Sequence, residues 1–345
     1  MAWCSWLLHF ASPPVTAILA GACRDYGRSV PPATGISALR MSPPLADDPI
    51  GAEAVLPLLL DLVEPGAPWV AGLPFEYQTR CPSTNAALKQ VAESGRSGTT
   101  LVTDEQTGGR GRLGRTWVSA PGLDLTFSVL LRPALAPAQG HLLALATGVA
   151  VAEVLEESLG LYGQVTLKWP NDVLLDGKKV CGILLEASAD ADRILWALAG
   201  IGLNVNSEPS RLLESLPPDQ AAEWRGRPRP ISLKEYLGQS TARAPLLAAL
   251  LARLTCWWTG LDWVSTVPSL LAEWRRRDAL AGRPVEVFAG ADRSERVAAG
   301  QAAGIGEEGQ LLVRAEDGTL LEVFAGDVSV TAADRGYLTE DADPG

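Results

Sequence analysis

The sequence has little histidine and little cysteine. Its 345 residues include two histidines, His9 and His141, and five cysteines, Cys4, Cys23, Cys81, Cys181 and Cys256, odd in number and widely scattered. Without a CxxC pair or a Cys/His cluster, a disulfide framework and a zinc site are both disfavoured, and a reducing cytoplasm is the expected location. No apolar run is long enough to span a bilayer, so no membrane partner is expected. Basic residues are outnumbered 29 to 40 by acidic ones, for a net charge of −11. That balance argues against nonspecific binding of nucleic acid, which depends on neutralising phosphates.

What is present suffices for a folded core. The chain is 47% apolar and 20% charged, ordinary for a globular protein. Its length exceeds a usual single domain, so at least two folded units plus tails are expected. The N-terminus is faintly like a signal peptide, but it lacks a positive n-region and Pro13-Pro14 interrupts its apolar run. Residues 1–50, rich in Ala, Pro, Gly and Ser, read as a disordered extension, with Met41 as an alternative start. Residues 51–74 read as a linker in which Ala54 to Val63 can form a short helix.

Order is expected from Phe75. Ser83 or Thr84 can cap a helix that ends at Gly95, and Thr99 to Thr103 is a short β-branched strand. Leu125, Phe127, Val129 and Leu131 alternate with Thr126, Ser128 and Leu130, which predicts a strand with one strongly apolar face. Gly140 to Leu159 reads as an apolar helix with Glu153, Glu156 and Glu157 exposed. Val165 to Trp169 and Ile194 to Val205 read as strands, and Asp176-Gly177 as the turn of a hairpin between Val173–Leu175 and Val180–Ala187. Ser232 and Glu235 make a capping box, followed by helices over Pro245 to Leu261 and Ser269 to Arg277. Beyond Gly282, short strands broken by Gly and Asp-Gly turns suggest a small β-barrel over residues 282–331, with a polar tail at 332–345.

The most unusual stretch is Gly108 to Gly122, GGRGRLGRTWVSAPG. Four glycines and three arginines fall between Gly108 and Arg115, with no acid among them. Glycine permits close backbone approach, and arginine offers forked donors for phosphate or carboxylate. Gly109, Gly111 and Gly114 fit the letters of a dinucleotide fingerprint, but a strand follows where that motif needs a helix. No kinase motif follows, and Gly177-Lys178-Lys179 lacks the glycine a P-loop requires. Taken alone, such a loop is more often merely solvated. A second cluster changes the balance: LKWPND sets Lys168 at a strand end, and KKVCGILLE returns Lys179 on the hairpin partner. The hairpin brings the two lysines to the same region. A third piece, GIGLNVN, sets Asn204 and Asn206 two residues apart, as edge amides or as nucleotide-reading groups.

The ordered set S-T-N, Q-x-x-G-R-G-R-x-G-R-x-W, K-W-P-N-D, K-x-x-G-I-L-x-E and G-x-G-x-N-x-N resembles a biotin protein ligase from about Phe75 to Val330. The resemblance implies an α+β fold: a class II aminoacyl-tRNA synthetase-like catalytic domain, spanning residues 75–278 as a mixed sheet with flanking helices, and a C-terminal SH3-like barrel. It implies that ATP and biotin are joined as biotinyl-5′-AMP, with Mg2+ accompanying ATP, and that biotin then passes to a lysine of a carboxyl carrier domain. Ser83, Thr84, Asn85 and Gln106 would face biotin. Arg110, Gly111 and Arg112 would close over biotin and the adenylate phosphate. Lys179 would hold the biotin carboxylate and phosphate oxygens, Lys168 the phosphates, and Trp117, Asn171 and Asn204 the nucleotide side together with Arg112. Asp172 would orient a lysine or act on the carrier amine. No metal ligand set of the protein's own is implied, and no protein nucleophile is needed, so Cys181 reads as a packed residue.

Some members of that family carry an N-terminal DNA-binding domain. Residues 1–74 are too proline-rich and too weakly periodic for one, so the ligase-only form is expected and DNA is not an expected partner. A homodimer stays open as the assembly. The alternatives are a lipoate–protein ligase, a regulator that senses biotinyl-AMP, and an inactive biotin binder.

Overall fold

The computed structural model describes residues 48–63, 65–215, 228–260, 266–290 and 293–330. Residues 1–47 of the extension expected over 1–50, and the tail at 332–345, lie outside the described residues, and so does most of the 1–74 segment on which the ligase-only reading rests.

A seven-stranded mixed sheet organises the larger part. Its strands are β1 (Phe75–Cys81), β2 (Thr100–Gln106), β3 (Leu125–Leu131), β4 (Val165–Lys168), β5 (Asp172–Leu175), β6 (Lys178–Ala189) and β7 (Ile194–Leu203). The order across the sheet is β1-β2-β3-β7-β6-β5-β4. Only β1 and β2 run parallel; the other pairs are antiparallel. The Asp176-Gly177 turn joins β5 to β6 with both residues at positive φ, 46° and 75°, as a two-residue hairpin turn demands.

Every residue of β3 is buried, so the strand does not have one apolar and one open face. Leu125, Phe127, Val129 and Leu131 pack into the main core with α3 (His141–Leu159). Leu130 points the other way, into a second cluster with Leu88, Ala92, Leu101 and Leu198 beside α2 (Thr84–Lys89). Ser83 caps α2 through its side chain. The helix is shorter than the expected run to Gly95, because turns replace it after Lys89. One sheet face is thus fully covered by helices, while α2 covers only part of the other.

The helical face holds α1 (Ala52–Leu62), α3, and two later helices. Residues 51–62 are not a free linker: Val55 and Leu59 are fully buried in the main core, each worth roughly 1.5–3 kcal/mol. Residues 48–50 are ordered too, since Asp48 accepts from the Arg243 guanidinium at 3.0 Å and Ile50 is buried. Glu153 and Glu156 are also not exposed, at 9% and 2%. A carboxylate can be buried when a cation meets it. Here Arg253 and Arg277 do so from distant parts of the chain, at 3.2 and 2.6 Å. Short helices α4 (Pro209–Glu214) and α5 (Leu233–Leu237) precede α6 (Arg243–Thr259) and α7 (Thr266–Arg276). The Ser232/Glu235 capping box at α5 makes both of its bonds, at 3.1 and 2.9 Å.

After α7 the chain forms a five-stranded antiparallel sheet of β8 (Pro284–Phe288), β9 (Arg296–Ile305), β10 (Leu311–Arg314), β11 (Leu320–Val323) and β12 (Asp327–Val330). Its order is β11-β10-β9-β8-β12, with β11 and β12 as its edges. This sheet is anchored to the larger one. The Trp169 indole donates to the Gly309 carbonyl at 3.1 Å, and Arg275 donates to the Ile305 carbonyl at 3.2 Å.

Candidate active site

The uncovered half of the second sheet face is the floor of an open cleft enclosing about 1020 Å³, mouth included. Thr126, Gly182, Gly200 and Gly202 lie on this floor. Glycine is required by what sits above it. A Cβ on Gly200 would come 2.6 Å from Asn85 Oδ1, and one on Gly202 would come 2.4 Å from the Trp117 indole. Glycines two apart in a central strand mark such a close approach.

One wall is the Gly/Arg loop, folded as a tight hairpin. Arg110 bridges Thr116, Gly111 N donates to Arg115 O at 2.7 Å, and Trp117 N to Gly109 O at 3.0 Å. At the tip, Leu113 has φ 58° and Gly114 φ 76°, a conformation that is cheap for glycine and costs leucine about 1–2 kcal/mol. The arginines then reach outward. Arg112 donates to Asn171 Oδ1 and to the Gly326 carbonyl, both at 3.3 Å. Arg115 grips Asp327 of β12 with both fork nitrogens, at 3.1 and 2.6 Å. Arg293 meets the same carboxylate at 3.3 Å. Burial pushes the Asp327 carboxyl up, but the Arg115 fork, Lys168 and Arg293 outweigh it and hold its pKa at about 2.

The opposite wall is the β4–β5–β6 hairpin pair. Lys168 and Asp172 face each other across its first turn, Trp169 to Asn171. Asn171 is fixed by its amide, which donates to Ile183 O at 2.7 Å. Strict alternation would put Lys179 on the same side as Cys181 and Ile183, under the helices. The register shifts instead: Val173 faces Cys181 while Leu174 faces Lys179. The extra residue is a bulge, which re-aims a side chain, and Lys179 lines the cleft. Its ammonium lies 2.6 Å from Asp172 Oδ1 and 5.7 Å from the Trp117 ring centroid. Burial pushes the Asp172 carboxyl up, but Lys179 and Lys168 more than offset this and its pKa falls below the ordinary value. Lys168 is 7% exposed. Among the described residues its ammonium has no hydrogen-bond or ion-pair partner, and burial lowers its pKa despite Asp172 and Asp327 nearby. Arg112 is likewise lowered by burial first, against the pull of Asp172 and Asp327.

At the far end the cleft turns neutral and polar. Ser83, Thr84, Asn85 and Gln106 line it. Gln106 Oε1 accepts from Thr84 N at 2.8 Å, and Ser128 Oγ lies 2.6 Å from both Thr84 Oγ1 and Asn85 Oδ1.

Arg110, Gly111, Arg112, Trp117, Lys168, Asn171, Asp172 and Lys179 are therefore brought to one cleft with the Ser83 to Asn85 segment and Gln106. Asn204 is not among the cleft residues. Its amide donates to the Ile231 carbonyl at 3.1 Å, and it lines a smaller pocket that shares Trp117 and Lys179 with the cleft. Asn206 is also committed, exchanging two 2.9 Å bonds with the Thr241 backbone. Sequence reasoning missed Asp327, which no local signal marks, and Arg115, whose motif position was in view. It also missed the floor glycines, signalled by their two-residue spacing. Cys181 is fully buried, and burial pushes its thiol pKa up, as befits a packed residue.

Residues 77–206 match the family model described as Biotin/lipoate A/B protein ligase family. The biotin–[acetyl-CoA-carboxylase] ligase of Paracoccus denitrificans is 32% identical over 72% of this chain and 98% of its own length. The bifunctional ligase/repressor BirA of Bacillus subtilis is 38% identical over 43% of this chain, a match that spans 45% of that relative. Among solved structures, the biotin protein ligase from Aquifex aeolicus in complex with biotin and ATP superposes with a TM-score of 0.59 at 29% identity. That superposition covers 74% of this chain and 98% of the other. With the same motifs arranged around one cleft, the chain belongs to the biotin protein ligases of the biotin/lipoate A/B protein ligase family.

Proposed function

We propose that the chain is an ATP-dependent biotin–protein ligase acting in two steps. A biotin carboxylate oxygen attacks the α-phosphorus of ATP; the new O–P bond forms as the bond to the β-phosphate oxygen breaks, and pyrophosphate leaves. A lysine amine of a carrier domain then attacks the anhydride carbonyl, loses its proton, and expels AMP. The observation that carries this reading is the meeting of Lys168, Lys179 and the arginine loop over a glycine floor. Two anions must be brought together, and preorganised positive charge is the main requirement of such a step.

Lys179 stands where a carboxylate and an α-phosphate oxygen would meet, with Asp172 fixing its ammonium. Lys168 supplies a second charge that, among the described residues, makes no hydrogen bond or ion pair of its own, so a ligand oxygen can meet it directly. The polar end at Ser83, Thr84 and Gln106 suits a ureido ring, which presents two N–H donors and one carbonyl. The nucleotide belongs on the Trp117 and Asn204 side, where the smaller pocket adjoins the cleft. Arg112 bridges loop and hairpin, and so helps to retain the adenylate and exclude water. Magnesium enters with the triphosphate as part of the substrate. Among the described residues no group of three His, Cys, Asp or Glu side chains is placed to hold a metal.

The test mixes the protein with Mg-ATP and a biotin carboxyl carrier domain, supplies biotin or lipoate, and weighs the carrier by mass spectrometry. One biotinyl group on a single lysine is expected. A lipoyl gain would move the reading to the sister activity, and no gain with either acid would end it.

A further inference from the structure

Outside the cleft lining, one carboxylate touches the binding residues from behind. Glu186 lies on β6, opposite Leu198 of β7, and its Oε2 accepts from Asn85 Nδ2 at 2.8 Å. It is half-buried, with Lys89 at 3.8 Å from its other oxygen. Asn85 is 4% exposed, Thr84 3%, and Ser128 fully buried. The four side chains form a line from Glu186 through Asn85 and Ser128 to Thr84, which borders the cleft.

The donor and acceptor inventory gives that line a direction. An ionised carboxylate can only accept, so Asn85 must turn its NH2 to Glu186 and its Oδ1 to Ser128. An amide oxygen can only accept as well. The single Ser128 hydroxyl proton is therefore committed to Asn85, across 2.6 Å. The other 2.6 Å contact of Ser128 is to Thr84 Oγ1, and two oxygens that close need a proton between them. Only Thr84 has one left to give, and although Gln106 Oε1 lies 3.2 Å from the same hydroxyl, the 2.6 Å contact to Ser128 is the shorter and takes the proton. Its hydroxyl donates inward, which leaves lone pairs toward the cleft. Gly200 fixes the geometry from below, since any side chain there would collide with Asn85 Oδ1.

We propose that Glu186 is a positioning residue for biotin recognition: by orienting Asn85 it sets the hydrogen-bond direction through Ser128, so that Thr84 meets the ligand as an acceptor for a ring N–H. Asn85 is then a relay, not a ligand contact. Its amide protons go to Glu186 and, at 3.4 Å, to the Leu184 carbonyl, and its oxygen goes to Ser128. The inference rests on the ligase reading for the identity of the ligand, but the direction of the line does not.

Three variants test it. Glu186→Gln can still present an oxygen to Asn85, whereas Glu186→Ala leaves the amide free and Glu186→Lys presents donors and favours the flipped amide. The first readout needs no ligand. In NMR spectra of the full chain, the Asn85 side-chain NH2 signals, assigned by their loss in Asn85→Asp, are expected to be exchange-protected in wild type and Glu186→Gln. Protection is expected to be lost in Glu186→Ala and Glu186→Lys. The second readout is steady-state adenylation: KM for biotin rises about tenfold in Glu186→Ala, the loss of one hydrogen bond of ~1.4 kcal/mol. It rises further in Glu186→Lys and stays within about twofold of wild type in Glu186→Gln, with KM for ATP unchanged in all three. Equal protection in wild type and Glu186→Ala would overturn the proposal, as would a matched rise in both KM values. A wild-type protein with a protected amide but no biotin turnover would instead sink the ligase reading and leave the relay standing.

Discussion

On the helical side of the large sheet, Arg277 lies 2.6 Å from Glu156 and 2.7 Å from Glu273, and Arg253 lies 3.2 Å from Glu153 and 2.5 Å from Glu157. On the cleft side, Arg110, Arg112, Arg115, Lys168 and Lys179 share the lining, among the described residues, with two carboxylates, Asp172 and Asp327. In the first region each arginine is met by two carboxylates, whereas among the described residues of the second the cations outnumber the carboxylates. Ion pairs of the first kind hold helices in register and add little net stability. Cations in excess cost stability unless an anion arrives, which is the condition for binding one. The same residue types therefore serve the fold on one face and the ligand on the other.

Substitutions should separate the two faces. The largest effect is expected from Lys179→Met, which should slow adenylate formation by about 10²–10³-fold while the melting temperature moves little; pyrophosphate release and calorimetry on the same samples check both. A large drop in Tm would break the contrast. Next, Arg277→Met leaves Glu156 buried without its main partner and should cost about 3–5 kcal/mol in urea titrations, with turnover per folded molecule unchanged. Gly202→Ala drives a methyl into the Trp117 indole and should raise KM for ATP about tenfold, ~1.4 kcal/mol of binding, with KM for biotin less affected.

The smallest effect is a pH dependence. The pKa of Asp327 is depressed to about 2, so its contribution to stability is complete above the unfolded carboxylate value near ~3.9. It is lost as the pH falls through about 2. Asp327→Asn should flatten that acid limb and lower the Tm at neutral pH by ~2–4 °C. Acid melts of the two proteins that superimpose would remove the latch between the arginine loop and the C-terminal sheet.

Local chemistry was legible in the sequence where the cause lies within a few residues. The Asp176-Gly177 turn, the Ser83 cap and the Ser232/Glu235 box all follow from short-range bonding, and the structure has each one. The motif residues that converge on the cleft were also in view. What stayed hidden depends on partners far along the chain. Glu153 and Glu156 look like solvent-facing charges until α6 and α7 bring arginines to them. Lys179 would be placed under the helices by simple alternation, and only the bulge beside it turns the ammonium into the cleft. Asp327 lies on the C-terminal sheet, 212 residues along the chain from the Arg115 whose charge it meets. The Asn204 amide is held by the Ile231 carbonyl, 27 residues further along the chain.

The positive cleft sits in a chain of net charge −11, and this shapes how a polyanion such as a nucleoside triphosphate reaches it. At a distance the ligand is repelled by the whole molecule. Attraction takes over only within the ~8 Å over which charges are felt at physiological ionic strength. Added salt screens the outer repulsion before it weakens the inner contacts. Moderate salt should therefore speed capture of the ligand, the reverse of the behaviour of enzymes that steer their substrates from afar.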